Sequence, residues 1–404
     1  MPSDACACIA PGTKVLVLGG DGFCGWPTAL RLSAGGCCVT IIDNGSRRAI
    51  DRDLGTAPLV PIKSLRARVA AWAEHSSSLI GIRYLDLATD YEALCQNIFE
   101  LSPDIVVHFA EQRSAPFSMR SSAGARYSVD NNIRATHNLL AALVETKSDP
   151  HLIHLGTVGV YGYTSAGLTL PEGYVKVTAH GADGRSVERE ILYPGEPDSI
   201  YHMTKVLDQQ MLAFYARYHN LTITDLHQGV VWGTQTAETR SDPRLVNRFD
   251  HDAIYGTVVN RFLVQARSDL PLTVYGSGTQ TRAFIHIEDM VSCIMLAAST
   301  PPQRTGGRVR VVNQVGEVAS INALARQVAE FTGAEIAHIN NPRREPEGNS
   351  FDLDRSTFSS LGFTPRTFAV ALPQEIAELT DFKANSAGEL VTDLATQLEG
   401  AKRH

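Results

Sequence analysis

The sequence predicts an α/β fold, a doubly wound parallel sheet with helices on both faces and a smaller C-terminal substrate-binding lobe. Two observations carry this prediction. Short apolar runs rich in valine, isoleucine and leucine alternate with longer stretches of helical character, which is typical of strand–helix–strand units. The first of these runs leads directly into a glycine-rich turn and then a helix, the arrangement with which parallel sheets of this kind bind ligands at their carboxyl edge.

The first strand is predicted at residues 14–18, and the turn after it has the pattern of a dinucleotide-binding loop. Gly19, Gly22 and Gly25 give GxxGxxG directly before a helical stretch at residues 26–34. The first glycine allows a tight turn, the second lets the backbone approach a pyrophosphate, and the third lets the helix pack closely on the strand. The sequence therefore predicts a Rossmann-type nucleotide site.

The second strand, at residues 38–42, ends in Asp43, and this acid favours NAD over NADP. Asp43 lies near the position, about 20 residues beyond the glycines, where a carboxylate binds the ribose 2′-OH. Arg47 and Arg48 could instead hold a 2′-phosphate. Because Asp43 sits at the strand tip, we expect it to dominate and the cofactor to be NAD.

The next elements continue the alternation. Strands are predicted at residues 81–85, 105–109 and 151–155, and helices at 91–101, 132–145, 372–380 and 389–398. Asp86 ends the third strand, where it could meet an adenine amine or simply cap the strand.

Tyr201 and Lys205 form a YxxxK pair, and a helix places them one turn apart on the same face. A nearby ammonium and a nicotinamide cation would favour the phenolate and so lower the pKa of Tyr201. Such a phenol can take the proton of a substrate alcohol as hydride leaves. Thr157, at the end of the preceding strand, would supply a hydroxyl to the same substrate oxygen.

These residues together resemble the signature of the extended short-chain dehydrogenases/reductases, whose members act on nucleotide sugars. The resemblance narrows to the UDP-sulfoquinovose synthases in several segments, which are residues 20–26, 109–116, 227–231, 260–262, 272–276, 280–282 and 341–343. It implies Thr157, Tyr201 and Lys205 as the catalytic set, bound NAD, a UDP-sugar substrate and a homodimer.

The resemblance also implies two sets of binding residues. Those expected at the cofactor are Gly19, Gly22, Phe23, Cys24, Gly25, Asp43, Asn44, Arg47, Arg48, Asp86, Leu87, Phe109, Glu111, Tyr201, Lys205 and Gln228. Those expected at the substrate are Arg113, Thr157, Gln228, Arg261, Thr273, Tyr275, Arg282 and Arg343. Arg282 and Arg343 suit a diphosphate, because guanidinium forks match phosphate oxygens.

The family makes a sulfonated sugar from UDP-glucose, NAD and sulfite. Oxidation at carbon 4 acidifies the hydrogen on carbon 5, and loss of that proton expels the hydroxyl of carbon 6. Sulfite adds to the resulting 5,6-enone, and the hydride then returns to carbon 4. One site must therefore supply a redox base, a base for carbon 5 and an acid for the leaving hydroxyl.

Residues 158–160, Val-Gly-Val, depart from the relatives. Related sugar 4,6-dehydratases have Asp-Glu at the first two positions, and sulfoquinovose synthases have glutamate at the third, so this segment supplies no carboxylate. His202, Tyr201 and Glu111 are then the candidates for the carbon 5 base, and His202 is included in the catalytic set because histidine shuttles protons near neutral pH. Glu111 could equally be an ionic partner of Arg113, and His202 a structural histidine.

This departure leaves two other functions open. One is a 5,6-dehydratase of a nucleoside or nucleotide sugar, which would give an exocyclic enol ether without any sulfite step. The other is a non-catalytic regulator that binds NAD(H), for which an intact Thr157, Tyr201 and Lys205 set would be unnecessary.

Composition and charge exclude several classes of protein. The 404 residues carry 36 Lys+Arg against 43 Asp+Glu, a net charge of −7, which argues against a general binder of nucleic acid or anionic membranes. No run approaches the ~18 apolar residues of a spanning helix, and no export signal is visible. Seven cysteines in a chain of this length favour a reducing cytoplasm over a disulfide framework. We expect no metal, since Cys6 and Cys8 have no second ligand pair nearby.

Two interleaved lobes are expected from these assignments. Residues 13–235, with a return at about 283–315, form mainly the NAD-binding domain. Residues 165–195, 236–282 and 316–400 form mainly the substrate-binding lobe.

Overall fold

The computed structural model of the protein describes residues 9–162, 168–303, 307–341 and 351–381. Its strands are β1 (Lys14–Leu18), β2 (Cys38–Asp43), β3 (Gly81–Tyr84), β4 (Ile105–His108), β5 (His151–Thr157), β6 (Tyr174–His180), β7 (Ser186–Leu192), β8 (Ile223–Gln228), β9 (Val230–Trp232), β10 (Leu272–Tyr275), β11 (Thr281–His286), β12 (Arg310–Gln314), β13 (Glu317–Ser320) and β14 (Ile336–Ile339).

Its helices are α1 (Gly25–Ala34), α2 (Ser46–Leu54), α3 (Leu65–Trp72), α4 (Tyr91–Leu101), α5 (Ala115–Met119), α6 (Ser122–Glu145), α7 (Ile200–His219), α8 (Ala237–Arg240), α9 (Val258–Arg267), α10 (Ile287–Ser299), α11 (Ile321–Thr332), α12 (Ser356–Ser360) and α13 (Phe368–Asp381). None of the helices in the described ranges is both long and apolar enough to cross a membrane.

The main sheet has seven parallel strands in the order β12-β8-β5-β4-β1-β2-β3, with apolar side chains packed against helices on both faces. The doubly wound sheet predicted from the sequence is therefore confirmed. Because β1 lies between β2 and β4, the strand order reverses there, and a crevice opens at the carboxyl ends of β1 and β4. Crevices at such a reversal are where open α/β sheets bind ligands.

The predicted bounds of the elements differ from the observed ones mainly at helix starts. The helix predicted at 132–145 begins at Ser122, since Ser121 caps it by accepting a hydrogen bond from the Gly124 N–H. The helix predicted at 372–380 begins at Phe368 and tolerates Pro373. The helix predicted at 389–398, together with Cys6, Cys8 and Arg343, lies outside the described residues.

A second apolar core lies under the smaller sheets, in the part of the chain that follows β8. The three-stranded sheet β13-β11-β9 and helices α9, α11 and α13 share this core, with Trp232, Phe284 and Phe368 among its largest members. Strands β6 and β7 form an exposed hairpin. On it, the ring of Tyr174 stacks against the guanidinium of Arg308, which precedes β12, with 3.7 Å between Cζ and the ring centroid. The assignment of each segment to one lobe stays a prediction.

Candidate active site

The turn between β1 and α1 needs glycine at its first and last positions. Gly19 has a φ of +83°, and a Cβ there would lie 2.8 Å from the backbone nitrogen of Ala110. A Cβ on Gly25 would lie 2.9 Å from Cα of Gly20 and closer still to the carbonyl oxygen of Gly19. The start of α1 therefore rests directly on the turn, and its free N–H groups open toward the crevice.

Replacing Gly25 by alanine should expel the cofactor and destabilise the protein by about 1–3 kcal/mol, because the added methyl group must displace backbone. The matched control is Gly35→Ala at the other end of α1. There φ is −75° and a new Cβ meets nothing closer than 3.4 Å, so cofactor content should not change. Thermal unfolding and the NAD content of the purified variants measure both effects, and a cofactor-loaded G25A protein of unchanged stability would contradict the assignment.

Asp43 presents its carboxylate to the same crevice, at the end of β2. It accepts hydrogen bonds from the backbone of Asp21 (2.9 Å) and Gly45 (2.7 Å), which fix its orientation, and burial raises its pKa. The two arginines that could have held a 2′-phosphate are paired with carboxylates. Arg48 binds Asp21 and Arg47 binds Asp51, so this end of the crevice suits a ribose diol.

A single cleft is lined by every residue predicted at the cofactor except Arg48, whose guanidinium turns to Asp21 and the carbonyl of Lys63. Of the two roles considered for Asp86, the structure shows hydrogen bonds that cap the strand end, and contact with an adenine amine stays a prediction. Asp86 lines the cleft, and it also accepts hydrogen bonds from Asn44 (2.9 Å) and from the backbone of Ala88 (2.9 Å).

The Tyr201–Lys205 pair lies at the start of α7, which Ser199 fixes by accepting the His202 N–H at 3.1 Å. Lys205 is buried, and its Nζ donates to the Leu155 carbonyl at 2.6 Å and pairs with Glu111 at 2.7 Å. Thr157 ends β5 and, together with Tyr201, lines a pocket that adjoins the cofactor cleft. We refer to this pocket, which His202 and Arg282 also line, as the substrate pocket. The structure thus brings Thr157, Tyr201 and Lys205, three of the four residues predicted to be catalytic, to the junction of the cofactor cleft and this pocket.

The sequence predicted a lowered pKa for Tyr201, but in the protein without cofactor this pKa is raised. Burial raises the pKa of Tyr201 to about 12, although Lys205 pulls it down. The ammonium of Lys205 is offset by its contact with Glu111, which weakens its influence on the phenol. When bound, NAD would supply the hydride acceptor and a further positive charge beside the phenol.

Glu111 does not pair with Arg113, as one interpretation of the sequence had it. Its carboxylate binds Lys205, whereas Arg113 binds Asp250 at 2.7 Å and donates to the Tyr255 carbonyl at 3.4 Å. Glu111 is only 4% exposed and does not line the substrate pocket, so it is badly placed to reach carbon 5 of a sugar.

The substrate pocket adjoins the cofactor cleft and shares Arg113, Tyr201 and Gln228 with it. His202 lines this pocket, and its imidazole fills the space above Gly159, where a Cβ would lie 2.5 Å from His202 Cδ2. None of the described residues that line the pocket is aspartate or glutamate. The side chain of Val160 turns away into an apolar cluster with Phe351.

A third space continues from the substrate pocket and is lined by four of the residues predicted at the substrate, Arg261, Thr273, Tyr275 and Arg282. Arg282 lines both spaces, and its guanidinium donates to the Thr281 carbonyl at 2.7 Å. Arg261 lies beside it, donating to Thr273 Oγ1 at 3.1 Å and stacking on Tyr275 at 4.7 Å. The cofactor cleft, the substrate pocket and this third space are therefore connected through shared lining residues.

Several residues of the site gave no signal in the sequence. Asp250, which holds Arg113, and Tyr255, which lines both the cleft and the pocket, lie far along the chain from the motifs.

Glu111, His154 and Asp208 place ligand-type atoms within 4.8 Å of one another, as a metal site could. However, Nζ of Lys205 lies 2.7 Å from Glu111 and 3.9 Å from Asp208, so the chain itself supplies a cation to this cluster.

The residues present fit NAD. A Cβ at Gly19 or Gly25 would meet backbone atoms and so disturb the turn, and Asp43 is held beside this turn by the N–H of Asp21, as in sites that bind a dinucleotide. Lys205 and Tyr201 line the other end of the cleft, where the nicotinamide ribose of a dinucleotide would lie.

Comparison with known proteins gives the same picture. The model of the NAD dependent epimerase/dehydratase family matches residues 15–313. The chain is 39% identical to the chloroplastic UDP-sulfoquinovose synthase of Spinacia oleracea over 364 residues, 89% of this chain and 73% of the spinach protein. It is 38% identical to the UDP-sulfoquinovose synthase of Sulfolobus acidocaldarius over 369 residues, 90% of each chain.

Among solved structures, UDP-glucuronic acid 4-epimerase from Bacillus cereus, in complex with UDP-glucuronic acid and NAD, matches with a TM-score of 0.65 and 23% identity. The match covers 92% of this chain and 100% of the epimerase, which shows the shared Rossmann-type fold. The chain is an NAD-dependent enzyme of the nucleotide-sugar class. It belongs to the NAD-dependent epimerase/dehydratase family of extended short-chain dehydrogenases/reductases, in the branch that includes the UDP-sulfoquinovose synthases.

Proposed function

We propose that the protein is a UDP-sulfoquinovose synthase, which forms a carbon–sulfur bond at carbon 6 of a UDP-sugar. The observation that carries this proposal is the identity of 38–39% to two such synthases over about nine-tenths of the chain. The arrangement of the three connected spaces supports it, because a synthase of this kind must hold a dinucleotide, a hexose and a second nucleotide in line.

The chain's own groups can be assigned to the steps. Tyr201, aided by Thr157, accepts the proton of the carbon 4 hydroxyl as that carbon is oxidised. His202 removes the proton from carbon 5 and delivers it to the departing hydroxyl of carbon 6. Hydrogen sulfite then adds through sulfur to carbon 6 of the enone, its proton passes through His202 to carbon 5, and Tyr201 returns its proton as carbon 4 is reduced.

The charge of the substrate pocket supports an anionic second reactant. Arg282 lines it, Arg113 lines it while bound to Asp250, and no carboxylate lines it among the described residues. A pocket of this composition attracts sulfite and diphosphate and offers His202 and Tyr201 as its proton carriers.

A second candidate function is supported by residues 158–160. Because Val158, Gly159 and Val160 supply no carboxylate, the site could stop at elimination and re-reduction, leaving an exocyclic 5,6-enol ether of a nucleoside or nucleotide sugar. A non-catalytic NAD(H)-binding regulator is the weaker third candidate, since Thr157, Tyr201 and His202 all line one pocket.

Incubation of the holoenzyme with UDP-glucose, with and without sulfite, separates these candidates by mass spectrometry. A sulfonated UDP-sugar that forms only with sulfite is the expected result. Loss of one water from the substrate with no gain of sulfur would support the dehydratase and overturn the synthase. No change in UDP-glucose or in the bound cofactor would leave the regulator as the better description.

Two further properties are proposed with the function. The outer face of α7 carries Leu207, Phe214 and Tyr218, which are 40%, 52% and 64% exposed, beside α6. Apolar residues with this helical spacing favour a homodimer that buries the helix pair. Five free cysteines among the described residues, Cys24, Cys37, Cys38, Cys95 and Cys293, favour a reducing compartment such as the cytoplasm.

A further inference from the structure

Behind the Tyr201–Lys205 pair lies a buried cluster of charged groups that do not reach the substrate pocket. Glu111, His154, Lys205, Asp208 and Asp225 form it, and the side chain of each is at most 4% exposed. The cluster joins four elements, because Glu111 follows β4, His154 and Asp225 lie on adjacent strands β5 and β8, and Lys205 and Asp208 lie on α7. Three carboxylates therefore face one lysine unless the histidine is charged.

The contacts of His154 favour a proton on both ring nitrogens. Its Nδ1 lies 2.8 Å from Asp225 Oδ1, and its Nε2 lies 3.3 Å from Glu111 Oε1 and 3.6 Å from Asp208 Oδ2. Ionised carboxylates only accept hydrogen bonds, and imidazole donates from both nitrogens only when it is protonated. Nζ of Lys205, at 3.4 Å, could donate to an unprotonated Nε2, but the two carboxylates facing Nε2 and the third at Nδ1 favour the imidazolium.

The other histidines near His154 have different surroundings. His108 on β4 lies 5.8 Å away between ring centroids, and burial lowers its pKa to about 3, so it is neutral. His227 contacts the second oxygen of Asp225 at 3.1 Å and has Tyr161 and Gln209 as its other partners. His154 is the histidine that lies between Asp225 and the carboxylates beside Lys205.

We propose that His154, oriented by Asp225, is a positioning residue for the Tyr201–Lys205 pair. Its imidazolium offsets the carboxylates of Glu111 and Asp208, which would otherwise cancel the field of the Lys205 ammonium at the Tyr201 phenol. Asp225 is packed closely against β5, since a Cβ on Gly156 would lie 3.2 Å from Cγ of Asp225. The proposal rests on the proposed function only in using Tyr201 as the redox base.

The titration behaviour of the cluster agrees with this geometry. Burial and the charge of Lys205 lower the pKa of His154, but Asp225 and Asp208 hold it well above its usual value. Burial and the neighbouring Glu111 raise the pKa of Asp208 to about 6. Loss of the imidazolium would leave two carboxylates competing for one ammonium.

The first test compares two substitutions by single-turnover reduction of bound NAD with UDP-glucose across a range of pH. His154→Gln should move the limb of the profile that reports Tyr201 about one pH unit to the alkaline side, which slows the step about tenfold near neutral pH. His154→Lys, which keeps a cation at the position, should restore the limb. A His154→Gln profile that superimposes on that of the unsubstituted enzyme, or an equal displacement by both variants, would overturn the proposal.

The second test uses the unsubstituted holoenzyme and needs neither a substrate nor a folded variant. Nitrogen-15 NMR of the 13 histidines distinguishes imidazolium from imidazole. At about pH 9 an ordinary histidine, with a pKa of ~6.5, is neutral, so one doubly protonated signal should remain. The absence of any such signal would overturn the proposal, whatever the substrate proves to be.

Discussion

Replacing Tyr201 by phenylalanine should abolish turnover while leaving NAD in its cleft. The substitution removes one hydroxyl, the group assigned to accept the proton of carbon 4, and general-base catalysis by such a group is worth on the order of 10²–10⁴-fold. Cofactor binding should survive, because the glycine turn, Asp43 and the rest of the cleft lining are untouched. Single-turnover reduction of bound NAD by UDP-glucose and the cofactor content of the purified variant measure the two effects separately.

The matched control for this substitution is Tyr84→Phe at the end of β3. Tyr84 is 53% exposed and lines neither the cofactor cleft nor the substrate pocket. Its hydroxyl can be removed without changing turnover if the effect at Tyr201 is specific. A Tyr201→Phe enzyme that still reduces its cofactor at the normal rate would refute the role of Tyr201, and loss of NAD would show that the hydroxyl mainly supports the cofactor.

The part of the site that sequence reasoning could predict is the part built from local patterns. Gly19, Gly25 and Asp43 are recognisable because one strand, one turn and one helix dictate their residue types, whatever the rest of the chain does. Tyr201 and Lys205 are recognisable because a helical turn alone places them on one face. The structure keeps each of these short-range relations and brings the residues to one cleft.

The partners of the charged side chains could not be predicted in the same way. Glu111 and Arg113 are two residues apart, and their adjacency suggested an ion pair. In the fold they diverge, toward Lys205 on α7 and toward Asp250, and the second of these pairs spans 137 positions. No periodicity encodes such contacts, because they depend on how strands β4 and β5 present their ends to elements that come much later.

The residues at 158–160 illustrate a related limit. Their lack of a carboxylate is visible in the sequence, but its meaning depends on where each side chain points. Val160 packs into an apolar cluster, whereas Gly159 leaves room for the ring of His202. The small side chain of Gly159 thus makes room for the ring of His202. The candidate base for carbon 5 therefore lies on α7 and not among residues 158–160.

His202→Gln should therefore separate oxidation at carbon 4 from elimination at carbon 5. Glutamine approximates the size of the imidazole but cannot accept a proton near neutral pH, so deprotonation of carbon 5 should slow by about 10²-fold or more. Tyr201, Thr157 and Lys205 remain in place, so carbon 4 should still be oxidised and the near-ultraviolet absorbance of reduced nicotinamide should persist. In heavy water the sugar should fail to gain deuterium at carbon 5.

His219→Gln, at the exposed end of the same helix, is the control for that experiment and should behave as the unsubstituted enzyme. Normal deuterium gain at carbon 5 in the His202→Gln variant would transfer the role to Tyr201, which is the other proton carrier that reaches this pocket from α7. One phenol would then serve carbon 4 and carbon 5 in turn. Because it would have to give up its first proton before taking the second, exchange at carbon 5 should follow the same pH dependence as oxidation, whereas an imidazole would show its own.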